Sequence, residues 1–352
     1  MKTNTLIGFI LLLLLSGNFA FAAGYQDEEK GKGKEKFDAS TFILDHIADS
    51  HEWHLFGEGE SSVALYLPVI LYDKESGLHL FSSKKLAHGH VHEGYRLEEE
   101  GALKGRIVKV NAAGQADEEY LPLDFSITKT VVAMLAAALI GLILFLSLAR
   151  SYKKTGISHP KGIQGFLEPV VLFVRDDIAV PNLGHKAGRY MPYLLSVFTF
   201  IIINNMMGLI PFPPPFGGNV TGNIAVTFVL ATCTFLITQF SGNKNHWRHV
   251  FATPGVPFWL LPIMIPVEII GLFSRPFALM IRLFANITAG HIIVLSLISL
   301  IFIFDSIGLA PVSMVFVIFM DFMELLVAFL QAYIFTLLSA LFISLAVAEE
   351  HH

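Results

Sequence analysis

The chain has 352 residues, of which 54% are hydrophobic and only 15% are charged, with a mean hydropathy of +0.61. This composition excludes an ordinary soluble domain and is typical of a protein that crosses a membrane several times. Nucleic acid is not an expected partner, because the formal net charge is −5. The single cysteine, Cys233, excludes a disulfide framework and a thiolate metal site, so we expect neither a cofactor nor a metal.

The chain begins with the pattern of an export signal. Lys2 precedes an apolar run over residues 6–15, and an A-x-A site ends at Ala22. We therefore predict a signal peptide over residues 1–22. The alternative, a retained membrane span, is disfavoured because the apolar run is short.

Residues 23–126 are predicted to form an acidic domain outside the cytoplasm. Between positions 24 and 126 there are 11 Lys and Arg against 20 Asp and Glu, a net charge of −9. Residues 62–72 and 78–81 have the composition of strands on either side of a polar turn. We expect a small β-rich domain.

Residues 127–352 are predicted to form an all-α, polytopic membrane domain with five spans. Basic residues after the first span and between the third and fourth mark the cytoplasmic side, which also places the C-terminus inside. The spans are expected near residues 127–149, 191–210, 224–240, 258–304 and 312–348.

The last two apolar stretches are too long for perpendicular spans, since as helices they would measure about 70 and 55 Å against a hydrocarbon core of about 30 Å. Pro262, Pro266 and Pro276 could break the first of them into pieces. We favour two long, tilted, antiparallel helices.

Few ionisable side chains interrupt this hairpin, and their spacing places them in depth. If the chain turns near residues 307 and 308, His291 lies level with Glu324, and Arg282 lies close to the level of Gln331. Asp321 and Gln331 share a helix face with Glu324. Imidazole and carboxylate exchange protons near neutral pH, so this stripe predicts an ion access path. The alternative, a purely structural brace, would be costly in a membrane.

Arg282 is predicted to face a different neighbour from His291. Its helix face carries Ala278, Ala285 and Ala289, whose small side chains allow another helix to approach, whereas His291 points about 180° away. No acidic residue of the hairpin lies at its depth, so we expect its counter-ion on another subunit. Glu268, about 21 Å along the helix from Arg282, is predicted either to serve an exit route or to pair with Arg275.

These residues match a family pattern. The sequence Arg282-Leu283-Phe284-Ala285-Asn286, followed by Ala289-Gly290-His291, Glu324 and Gln331-Ala332-Tyr333, resembles subunit a of the F-type ATP synthase. The resemblance covers roughly residue 166 to the C-terminus.

The resemblance implies a non-catalytic stator in a bacterial inner membrane, with a periplasmic N-terminal domain and a cytoplasmic C-terminus. Its implied partners are a rotating c-ring with mid-membrane carboxylates, subunit b, the F1 sector and the lipid bilayer. Arg282 would attract each carboxylate and block leakage between two offset half-channels. Asn286 and Gln331 match polar positions near that arginine, and His291 and Glu324 match a pair in the outer half-channel.

Two other functions fit less well. A self-contained secondary transporter would also use acidic and basic groups within the membrane, but no inverted repeat is visible. The chain could instead be only a membrane anchor for the acidic N-terminal domain, but this function would not explain the polar residues of the hairpin. In the N-terminal domain, His88, His90 and His92 alternate, so a strand would present all three on one face and could hold Zn²⁺ or Cu²⁺. A solvated histidine-rich turn is favoured instead, because spacing fixes no acidic or Cys ligand beside them.

Overall fold

The computed structural model describes residues 38–56, 63–99, 101–111, 115–117, 120–155, 162–210, 214–251, 257–304 and 307–348. The predicted signal peptide lies outside this part of the chain. Most described residues are helical, and five helical segments are long and apolar enough to cross a membrane. The predicted polytopic membrane class is therefore confirmed.

The described residues pack as two compact units. One contains those within 1–136 together with 207–218 and 294–319. The other contains 137–206, 219–293 and 320–352.

The described residues of the N-terminal domain form one α-helix and three small antiparallel sheets, as the sequence predicts for a β-rich domain. Helix α1 (Ala39–Ile47) precedes strands β1 (Glu52–Phe56), β2 (Val63–Tyr66), β3 (Pro68–Asp73), β4 (Gly77–Ser82), β5 (Tyr95–Leu97), β6 (Ile107–Lys109) and β7 (Leu123–Asp124). The sheets have the strand orders β1-β2, β4-β3-β7 and β5-β6. The predicted strand over 62–72 is divided at Leu67, because Pro68 lacks the N–H that a continuous ladder needs.

A small core and one buried carboxylate hold this domain together. Val69, Leu71, Phe81 and Tyr95 pack in the core between the sheets. Asp73, which ends β3, accepts hydrogen bonds from the hydroxyl groups of Tyr95 and Tyr120 and from the backbone N–H of Glu75, and it pairs with Lys109. The turn that joins β3 to β4 is therefore fixed from several sides.

The histidine-rich segment forms a turn, the alternative that the sequence favours, and not the strand that a metal site would need. Ala87–Gly89 forms a short 3-10 turn in which His88 has a φ of 57°, a left-handed conformation that no strand contains. His88, His90 and His92 thus do not share one strand face. Among the described residues, no group of three or more potential ligands is arranged to hold a metal ion.

Eight further α-helices follow in the described part of the chain, and the last two form the predicted long pair. They are α2 (Lys129–Thr155), α3 (Ile163–Phe173), α4 (Val180–Leu183), α5 (Ala187–Leu209), α6 (Ile224–Ser241), α7 (Lys244–Phe251), α8 (Leu261–Ile303) and α9 (Ala310–Val347). The second apolar segment covers Gln164–Leu209 and includes a π-helical turn, Val174–Ala179. Sequence reasoning missed its first half because basic and acidic residues interrupt the apolar pattern there.

Helix α8 is continuous, so its prolines do not break it. Pro266 and Pro276 lie inside the helix, where each removes one backbone donor without ending the helical path. At 1.5 Å per residue, α8 and α9 measure about 64 and 57 Å. Both are longer than a perpendicular span requires.

Candidate functional site

The predicted pairing of His291 with Glu324 is confirmed. Nδ1 of His291 on α8 lies 3.1 Å from Oε1 of Glu324 on α9, and Glu324 is only 6% exposed. Gly290 makes room for the carboxylate, because a Cβ at that position would lie 2.9 Å from the same oxygen. The antiparallel register and one missing side chain thus place an imidazole against a buried acid.

His291 and Glu324 are close enough to form an ion pair, but hydrogen bonds do not fully satisfy the carboxylate. The two atoms are within ion-pair distance, yet Oε1 of Glu324 has no hydrogen bond of normal geometry among the described residues. Asp321, one helical turn earlier on α9, is also buried. Two acidic side chains and an imidazole therefore occupy one region of the hairpin interior.

A second polar contact joins the same two helices. Nδ2 of Asn286 donates to Oε1 of Gln331 over 3.0 Å, and Gln331 is 2% exposed. Asn286 lies one helical turn from Arg282 on α8. The structure thus places Gln331 against Asn286, close to the level that the sequence predicted for Arg282.

Arg282 lies on the exposed side of α8. Ala278, Ala285 and Ala289 are exposed with it, whereas Leu283 is buried in the helical core. Within the described part of the chain, the guanidinium makes no ion pair with a carboxylate. The face predicted for another helix is therefore unoccupied by this chain's described helices.

Glu268 lies near the start of α8 and contacts helix α7. Its Oε1 lies 3.8 Å from Nδ1 of His249. Burial lowers the pKa of the neighbouring His246, and the positive charge of Arg275 lowers it further. Glu268 and Arg275 thus both face the α7 histidines, and the structure records no direct pair between them among the described residues.

Sequence reasoning missed a group of polar residues outside the last hairpin. Nδ2 of Asn205 on α5 donates to the backbone oxygen of Ala328 over 3.0 Å, and the hydroxyl of Thr221 donates to Oδ1 of Asn205 over 2.7 Å. Ala328 follows Glu324 by one turn on α9. The buried side chain of Asn204 adjoins this group in sequence, but no spacing rule pairs α5 with α9.

Comparison with known proteins identifies the family of the chain. The model of the ATP synthase A chain family matches residues 131–344. ATP synthase subunit a of Chloroherpeton thalassium is 45% identical over 267 residues, which cover 75% of this chain and 77% of the relative. ATP synthase subunit a of Myxococcus xanthus is 48% identical over 238 residues, covering 65% and 76%. The chain belongs to the ATP synthase A chain family.

Membership in the ATP synthase A chain family makes this chain a non-catalytic, proton-translocating subunit of the membrane sector of ATP synthase. This membership favours a role as a stator subunit over a role as a self-contained secondary transporter. ATP synthase subunit a 2 of Chlorobaculum tepidum is a further relative, 48% identical over 238 residues, or 66% of each chain. Residues 42–125 match a separate model, that of a domain of unknown function (DUF8433).

Proposed function

We propose that this chain forms two offset half-channels that carry protons to and from carboxylates on a rotating c-ring. One observation supports the proposal most directly. Helix α8 has Arg282 on an exposed face lined with alanines, whereas His291, nine residues after Arg282, contacts the buried Glu324. A nine-residue separation is about 13 Å along the helix. The two groups therefore serve different neighbours at different depths.

The outer half-channel would run past His291, Glu324 and Asp321. Several buried polar atoms in and near this region have no hydrogen-bond partner among the described residues: Oε1 of Glu324, Oδ1 of Asn204, Nδ2 of Asn219 and Nε2 of Gln331. Such atoms are costly to bury dry, and water is the usual partner. Hydration here would connect the titratable pair to the outer face of the membrane.

Arg282 would separate the two half-channels. Its guanidinium stays charged at any physiological pH, so it attracts a deprotonated ring carboxylate and repels a passing proton. The alanines beside it let a ring helix approach closely. Asn286, held by Gln331, would orient polar contacts beside the arginine.

The inner half-channel would end near Glu268 and the α7 histidines. A carboxylate 3.8 Å from an imidazole is suited to pass protons to the cytoplasmic surface. The basic residues between α2 and α5, and in α7, favour a cytoplasmic location for this end and for the C-terminus. The N-terminal domain would then lie in the periplasm of a bacterial inner membrane, and subunit b and the F1 sector would complete the stator.

The decisive experiment removes the arginine from the whole synthase reconstituted in liposomes. Arg282→Ala is expected to abolish proton-driven ATP synthesis while passive proton leak stays equal or rises. Arg275→Ala, which removes a charge two turns earlier on the same helix, is the matched control and should keep the block on leak. Unchanged coupled synthesis in Arg282→Ala would refute the proposal, and solute exchange by the purified chain would support the transporter.

The missing counter-ion can be sought directly by crosslinking. With Cys233→Ser as background, a cysteine at Ala285 should crosslink to a small helical-hairpin protein that carries a mid-membrane Asp or Glu. A cysteine at the buried Leu283 is the control and should not react. A product that contains only copies of this chain would contradict the proposed ring contact.

A further inference from the structure

One face of the β4-β3-β7 sheet is apolar, and its side chains form two rows across the three strands. Tyr72 on β3 lies opposite Leu78 on β4 and Leu123 on β7, which gives one row. Ile70 lies opposite Leu80, and its backbone oxygen accepts a hydrogen bond from Phe125, which gives the second row. Residues directly opposite each other in an antiparallel sheet share one face.

This face, called the sheet face below, is exposed. Leu78 and Leu80 are 68% and 69% exposed, and Phe125 is 63% exposed. The alternate residues Val69 and Leu71 point into the domain core, so the exposed apolar side chains belong to one face. The positions that we assign to the sheet face, in the strands and just after β7, carry no charge: Pro68, Ile70, Tyr72, Leu78, Leu80, Ser82, Leu123, Phe125 and Ile127. An antiparallel sheet normally turns polar residues outward, and a contiguous apolar patch marks an interaction site.

The chain path places the sheet face next to the membrane. Phe125 precedes Lys129, the first residue of α2, by four residues, which span at most about 14 Å. The connection is also fixed: the N–H of Lys129 donates to the oxygen of Ser50, and that of Thr130 donates to Oδ1 of Asp49. The sheet therefore cannot move far from the bilayer that α2 enters.

We propose that the sheet face lies on the lipid bilayer, with the row of Leu80, Ile70 and Phe125 in the interfacial region. The bilayer is the occupant because it is the apolar surface that the chain itself enters within four residues. The absence of charge on this face of an acidic domain fits contact with lipid, and Tyr72 has the amphipathic ring that membrane interfaces favour. This inference requires only that α2 spans the membrane, and it is independent of the half-channels.

Fluorescent labels on the full chain test the proposal. In a Cys233→Ser background, a cysteine at Leu80 is labelled with an environment-sensitive dye, and the chain is reconstituted in liposomes of phosphatidylethanolamine and phosphatidylglycerol. We expect blue-shifted emission and strong quenching by lipids that carry a nitroxide near the headgroup. A label at Glu99, an exposed acidic position outside the sheets, is the control and should give aqueous emission with little quenching.

Two results would overturn the proposal. Emission and quenching at Leu80 equal to those at Glu99 would show that the sheet face meets water. Blue-shifted emission without quenching by nitroxide lipids would show that a protein, such as a second copy of this chain, covers the face. A second label at Phe125, just after β7 in the same row, must give the same result as the label at Leu80, which excludes a local folding defect at Leu80 as the cause.

Discussion

The chain buries two carboxylates in contrasting surroundings, Asp73 in the N-terminal domain and Glu324 in helix α9. Asp73 accepts four hydrogen bonds and pairs with the ammonium of Lys109 over 3.1 Å. Glu324 has one imidazole within ion-pair distance, and its nearer oxygen has no normal hydrogen bond among the described residues. Both side chains are almost fully buried, so burial alone does not separate their roles.

The number of hydrogen-bonding and charged partners does distinguish Asp73 from Glu324. The hydroxyl of Tyr95, more than any other group, holds the pKa of Asp73 well below its usual range, so the charge is fixed and stabilises the turn. A carboxylate with few partners can gain and lose a proton without dismantling a network. We therefore propose that Asp73 stabilises the N-terminal domain and that Glu324 exchanges protons, and each proposal can be tested by experiment.

The largest expected effect follows from removing the exchangeable acid. Glu324→Gln keeps the shape of the side chain but cannot exchange a proton, so we expect proton-driven ATP synthesis to fall by roughly a hundredfold, in the range of lost acid-base groups. The measurement is synthesis by the whole enzyme in liposomes. Met323→Gln, an exposed position on the same helix, is the control and should have little effect.

A double variant sharpens this test. Because His291 and Glu324 face each other, His291→Glu combined with Glu324→His should retain more synthesis than either single variant. If Glu324→Gln supports synthesis at the normal rate, Glu324 is a structural group like Asp73, and the contrast fails.

A smaller effect is expected from crowding the acid without removing it. In Gly290→Ala the new Cβ would lie 2.9 Å from Oε1 of Glu324, so the carboxylate must shift, and we expect synthesis to fall by up to about tenfold. Gly271→Ala is the matched control on the same helix, since its Cβ meets nothing within 4 Å. Both variants gain the same helix propensity, about 1 kcal/mol, so a difference between them reports the contact. Equal activities would show that the position of the carboxylate does not matter.

The sequence predicted the His291–Glu324 pair within one hairpin but not the contacts between distant segments. His291 and Glu324 follow from the antiparallel register, because two helices joined by a short turn have few ways to align. Asn205 bonds to helix α9 from elsewhere in the chain and is itself held by Thr221, and only the packed structure shows this. The turn at His88 has a local cause, since Gly89 and Gly94 favour turns over the strand that period-two spacing would allow.

The smallest expected effect on proton transport comes from the fixed carboxylate. Asp73→Asn replaces an acceptor with an amide and leaves Lys109 without its buried counter-ion, so the N-terminal domain should become less stable. Hydrogen exchange of the full chain should show faster exchange at Leu71 and Phe81, while ATP synthesis by the intact enzyme stays close to normal. Glu99→Gln, at an exposed site, is the control.

Acid provides an independent check on Asp73. Its folded-state pKa lies below the usual 3.8, so the ionised group stabilises the domain above about pH 3.8, and this stabilisation is lost as the pH falls from there through the folded-state pKa. Cleavage by an acid protease should therefore rise below pH 3.8 in the natural chain, and this rise should be weaker in Asp73→Asn, which lacks the titrating group. An identical acid response in both proteins would show that other carboxylates govern the stability of the domain.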